Sequence, residues 1–155
     1  LLGVKIGKNV TFLGFPIINI GKDSEIILMD NVILCSDSRF TQVGINHPVI
    51  LKTSKHAKLI IGNDTGISGG TIYANKKVEI GSECLIGADV KIFDTNFHSL
   101  KALNRRYNNK QEDINSKEII IEDNCFIGTG AMILKGSIIK KDTIIPAGAV
   151  VREEK

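Results

Sequence analysis

Residues 91–101, KIFDTNFHSLK, set a histidine among groups that suit it to proton transfer. An imidazole titrates close to neutrality, so a neutral His98 can accept a proton at working pH and hand it on within one cycle. Asp94 and Asn96 stand near enough in the chain to orient the ring, and Phe93 and Phe97 supply apolar walls that shed water. A lone loop histidine is ordinarily a solvated surface group; this local company favours a functional one.

The segments that must hold His98 in place have a period of six. From Ile121 the chain divides into IEDNCF, IGTGAM, ILKGSI, IKKDTI and IPAGAV, and Val151 opens a further fragment. The first position is aliphatic, and the fifth is small or modest in size: Cys125, Ala131, Ser137, Thr143, Ala149. IGSECL and IGADVK lead to Ile92 in the same rhythm, and pieces recur at Ile61, Ile67 and Tyr73, and at Ile6, Ile20, Ile26 and Val32. Helices and strands recur at 3.6 and 2 residues, so neither explains a period of six. A solenoid does, with three hexads to a triangular coil and each first-position aliphatic stacked inward on its counterpart one coil away. Gly7, Gly21, Gly62, Gly81, Gly87 and Gly128 follow the aliphatic, where a corner is expected to need unusual dihedrals. Cys84 and Cys125 fall on small fifth positions and read as packing residues.

Two stretches break the rhythm. Residues 36–58 lose the hexad and suggest coils of irregular length, while residues 94–118 are polar, too long for a corner, and anchored at both ends to regular coils. The second reads as an extended loop with a mobile middle around Arg105, Arg106, Asn108, Asn109 and Lys110, serving as a lid or an arm to a neighbour. Open solenoid ends need caps. The C-terminal REEK is expected to solvate one end, and Leu1 and Leu2 read as the cut edge of something longer.

The tandem hexads resemble the hexapeptide-repeat acyltransferase family, and that resemblance implies a left-handed parallel β-helix over residues 1–155 as a single domain. DTNFHS is similar to the D-T-[DN]-F-H-S segment of its galactoside, maltose and capsular-polysaccharide O-acetyltransferases, whose histidine is the general base. The resemblance thus implies an acetyl-CoA-dependent O-acetyltransferase acting on a sugar or glycan hydroxyl, with His98 catalytic and no metal required. Many relatives carry an acidic residue three positions after the histidine; here Lys101 stands there. By the same resemblance the backbones at Thr129 and Ala147 line the pantetheine arm and Phe126 supplies an aromatic beside it. Gly130 and Ala131 add small residues to that groove, and Lys135, Lys141 and Arg152 are expected cations for the coenzyme phosphates. Asp94, Asn96 and Ser68, the last within GISGG, are the expected substrate-side residues. The family assembles as trimers, which implies a homotrimer with the active site between subunits. Transfer to an amino sugar on a nucleotide, a non-catalytic assembly module, and a zinc site built from His47, His56 and His98 are the competing readings.

Composition excludes several classes. The 155 residues are 43% hydrophobic with a net charge of +3 and 5% aromatics, too little charge and too few rings to suggest nucleic-acid binding. No apolar run is long enough to span a bilayer and no signal-peptide pattern opens the chain, so a cytoplasmic protein is expected. Three well-separated cysteines with no C-x-x-C pair suggest neither a disulfide framework nor a thiolate metal site.

Overall fold

The computed structural model describes residues 3–153; Leu1, Leu2 and the last two residues of the REEK tail lie outside the described residues. The chain winds into a left-handed parallel β-helix of six triangular coils, each contributing one short strand to each of three parallel six-stranded faces. Face one stacks Val4–Ile6, Glu25–Leu28, Lys58–Ile61, Lys77–Ile80, Ile119–Ile121 and Ile138–Ile139. Face two stacks Thr11–Leu13, Ile33–Cys35, Gly66–Ser68, Leu85–Ile86, Phe126–Ile127 and Ile144–Ile145. Face three stacks Ile17–Asn19, Ile50–Thr53, Thr71–Ala74, Lys91–Phe93, Met132–Leu134 and Val150–Val151.

The core is three aliphatic columns, one behind each face. Ile61, Ile80 and Ile121 lie in register on face one, Ile67, Ile86 and Ile127 on face two, and Ile72, Ile92 and Ile133 on face three, all buried. Each such side chain contributes about 1.5–3 kcal/mol through apolar burial, which explains why the strands hold together at two to four residues apiece. Cys84 and Cys125 fill the small inward positions, where burial pushes both thiols up, away from reactivity.

Two positions differ from what the hexad pattern predicts. Ile72, not Tyr73, points inward on face three, because the Gly69–Gly70 corner is one residue shorter than a hexad allows. The glycines after the aliphatics do not carry the unusual dihedrals either. Positive φ falls two residues later, on Asp64, Glu83 and Asp89 for example. What excludes a side chain at Gly128 is the coil below, since a Cβ there would meet the Ala147 nitrogen at 2.4 Å.

The chain leaves the prism twice. Residues 95–116 depart on the edge between faces three and one, in the fourth coil, matching the extended loop expected near 94–118. Its middle is not devoid of regular structure: it forms two 3-10 turns, Arg105–Tyr107 and Gln111–Asp113. Residues 36–48 depart from the second coil on the edge between faces two and three, and include a 3-10 turn at Ser38–Phe40.

Candidate active site

The long arm is built to be stiff at its base. The carboxylate of Asp94 accepts the backbone N–H groups of Asn75, Lys76 and Lys77 at 2.6, 2.7 and 2.9 Å, locking the corner of the coil above. Thr95 and Ser116 then bridge across the neck. The Ser116 hydroxyl donates to Thr95 Oγ1 at 2.8 Å and accepts from Asn75 Nδ2 at 2.9 Å. Lys117 N–H to the Asp94 carbonyl and Asn96 N–H to the Asn115 carbonyl close the two ends together. Burial pushes the Asp94 carboxyl above the usual aspartate range, and the three peptide donors pull it back toward the ionised form.

This corrects the role expected for Asp94. The residue has no exposed surface and both oxygens are occupied by the Asn75–Lys77 turn, so it neither touches a substrate nor orients the imidazole. Asn96 acts through its backbone, whose carbonyl accepts the His98 N–H at 2.7 Å. Phe97 between them takes a left-handed conformation, φ 60°, which turns the chain sharply outward. The Phe97 ring packs 5.1 Å from Tyr73 and 5.4 Å from Phe93, centroid to centroid, on the outer surface of face three. Together these contacts seat His98 at the foot of the arm with its ring exposed.

The exposed ring lines a concave site of about 580 Å³ with Ala102, Asn104, Arg105, Arg106 and Tyr107. Lys101 is taken up by an ion pair with Asp113, and that carboxylate also accepts from Asn108 Nδ2 at 2.7 Å. Those contacts border a neighbouring concavity of the arm; the His98 hollow itself is formed around the Arg105–Tyr107 turn, a feature that the run of basic residues in the sequence did not disclose.

The expected coenzyme residues divide between edges. Thr129, Gly130 and Ala147 lie on stacked corners of the edge between faces two and three, in the fifth and sixth coils, with the Gly148 N–H donating to the Thr129 carbonyl at 2.9 Å. A Cβ placed at Gly130 or Gly148 would meet nothing within 4 Å, so this corner stack opens outward. Phe126 stands beside it on the outer surface of face two, half exposed. Lys135 and Arg152 sit instead on the edge below the arm, and Lys141 on the edge between faces one and two, its N–H bonded to Glu122. Ala131 is wholly buried, so it is a core residue and its side chain cannot line a groove. Ser68 is on face two in the third coil, away from His98. Within one chain, His98 and the Thr129–Ala147 corners lie on different edges of the prism, with face three between them.

His47 and His56 occupy different edges from each other, and among the described residues no three histidine, cysteine or acidic groups come together as a metal site. Nor does any helix among them have the length and apolarity to cross a membrane.

Residues 118–153 match the family described as bacterial transferase hexapeptide, six repeats. Among solved structures, the chain is similar to the polysialic acid O-acetyltransferase OatWY, with a TM-score of 0.54 and 18% identity over 98% of this chain and 92% of that one. It is also similar to the polySia-specific acetyltransferase NeuO, with a TM-score of 0.48 and 21% identity over 95% of this chain and 80% of that one. No curated protein matches the chain.

Proposed function

We propose that this hexapeptide-repeat prism is an acetyl-CoA-dependent O-acetyltransferase that modifies a sugar hydroxyl, with His98 as its general base. The observation that carries the reading is the exposed His98 ring on a stapled neck, facing a hollow large enough for a sugar unit. The hexapeptide transferase match over residues 118–153 and the shared fold with OatWY, named for O-acetylation of polysialic acid, support it.

In the proposed reaction the neutral imidazole takes the acceptor hydroxyl proton while that oxygen attacks the thioester carbonyl. The tetrahedral adduct collapses with cleavage of the carbon–sulfur bond, and the departing thiolate takes the proton back from the imidazolium. A base so placed supplies about 10²- to 10⁴-fold in rate. The pantetheine arm lies along the open corners at Thr129, Gly130 and Ala147, beside Phe126. Those corners and His98 lie on different edges of one prism, so a site that uses both joins the edge of one subunit to the arm of the next, as in the homotrimer that the family resemblance implies.

The test is thiol release from acetyl-CoA in the presence of sugar acceptors, combined with sedimentation to count subunits. His98→Ala is expected to keep the trimer and coenzyme binding while turnover falls at least a hundredfold. Undiminished turnover in that variant would rule the mechanism out.

A further inference from the structure

We infer that the acceptor taken at the His98 hollow carries a fixed negative charge, a carboxylate or a phosphate, read by Arg105 and Arg106. The inference rests on the acetyl-transfer reading and specifies its substrate class.

Six residues line the hollow, and none is acidic. Two of them are consecutive arginines in the Arg105–Tyr107 turn. Lys101, three residues past His98, is already paired with Asp113. Arg105 and Arg106 have no carboxylate partner among the described residues, yet both are held in place. The Arg105 Nη2 donates to the Leu100 carbonyl at 3.0 Å, and the Arg106 guanidinium lies 5.8 Å from the Tyr107 ring centroid. Asn104 before them adopts a left-handed conformation, φ 53°, which bends the chain into the 3-10 turn.

A guanidinium keeps its charge at any physiological pH and offers a planar fork of donors that fits a carboxylate or phosphate in two-point contact. Two such forks beside a base, in a hollow without an acid, make a site selective for an anion attached to the molecule whose hydroxyl His98 deprotonates. The coenzyme's own phosphates are a poor fit here. The thioester must lie beside the His98 ring, and the full length of the pantetheine arm separates it from those phosphates.

The experiment measures thiol release from acetyl-CoA with acceptors matched except for charge: glucose, glucuronic acid and glucose 6-phosphate, and oligosaccharides of neutral or uronic-acid units. The wild-type protein is expected to favour charged over neutral members by at least tenfold in kcat/KM, with the carboxylate and phosphate arms showing which anion is preferred. In the Arg105→Gln/Arg106→Gln variant that preference is expected to fall close to one, while the KM for acetyl-CoA stays within twofold. Equal or better use of neutral acceptors by the wild type would overturn the inference and leave acetyl transfer standing. So would a variant whose loss appears in the acetyl-CoA KM. Absence of thiol release with every acceptor would instead defeat acetyl transfer, and the inference with it.

Discussion

The prism is interrupted twice; both excursions are closed at the neck, and they differ in what holds them beyond it. The arm at 95–116 is stapled at its neck by Asp94, Thr95 and Ser116, and it carries exposed His98 at its foot and exposed Arg105 and Arg106 farther out. The excursion at 36–48 is closed at its neck by the Val49 N–H donating to Ser36 Oγ at 3.1 Å, and is tied to other coils near its return. Ile45 packs on Gly69, and Asn46 bonds Asp89 through its N–H at 2.9 Å and its Nδ2 at 2.6 Å. The His47 Nδ1 lies 2.7 Å from the Pro48 carbonyl and so donates to it. The shorter excursion is tied down onto stacked coils, whereas the arm stands on its neck and presents His98, Arg105 and Arg106 to a hollow. On that contrast, changes in the arm should be felt in catalysis and changes in the shorter excursion in stability.

The largest effect is expected at His98. His98→Ala should raise the barrier by about 3–5 kcal/mol, a hundredfold or more in rate, with no change in thermal midpoint, because the exposed ring holds no core contact. A stability loss matching the activity loss would show that the arm is no freer than the other excursion. Asp94→Ala comes next and should damage both properties. It strips the acceptor from three partly buried peptide N–H groups, at a cost of about 3 kcal/mol. Hydrogen exchange should then speed up at Asn75, Lys76 and Lys77 before it does so elsewhere, and turnover should fall because His98 loses its footing.

How much of this was legible in the sequence depends on how local each cause is. The hexads from Ile121 to Val151 run without a slip, and the stacked columns follow from them directly. His98 was legible because the segment that marks it is contiguous. Asp94 was misread because its partners, the amides of Asn75–Lys77, are a full coil away and carry no side-chain signature. Tyr73 was placed inward because a five-residue corner looks like a six-residue one until the register is seen on the next strand. The anchoring of residues 36–48 was invisible for the same reason: Asn46 and Asp89 are 43 positions apart and meet only because the coils stack. The hollow around Arg105 and Arg106 arises from the arm's tertiary path, so a run of basic residues could not distinguish it from a mobile loop.

Gly69→Ala tests the pinned excursion from below. Gly69 has φ 53°, and a Cβ there would meet the Ile45 side chain at 2.5 Å, so the substitution strains the backbone and lifts Ile45 off its seat. The expected cost is about 2 kcal/mol. In a chain of this size that is a fall of about 4–8 °C in thermal midpoint. Turnover per folded molecule should stay within twofold; a loss as large as that of Asp94→Ala would show that the shorter excursion serves the reaction as directly as the arm does.

The smallest effect is the sharpest test of the contrast. Asn46→Ala removes the side-chain donor to Asp89 Oδ2 but keeps the backbone donor to Oδ1, so one of two contacts survives. A single hydrogen bond to a carboxylate in a partly exposed place is worth about 1 kcal/mol. If the excursion is fastened at several points, Ile45 on Gly69 should hold it, and hydrogen exchange at residues 41–47 should rise only slightly. If Asn46 is the sole fastening, the whole segment from 36 to 48 should lose protection together. The two excursions would then share one design, each stiff at one point and loose elsewhere, and the functional contrast would rest on their side chains alone.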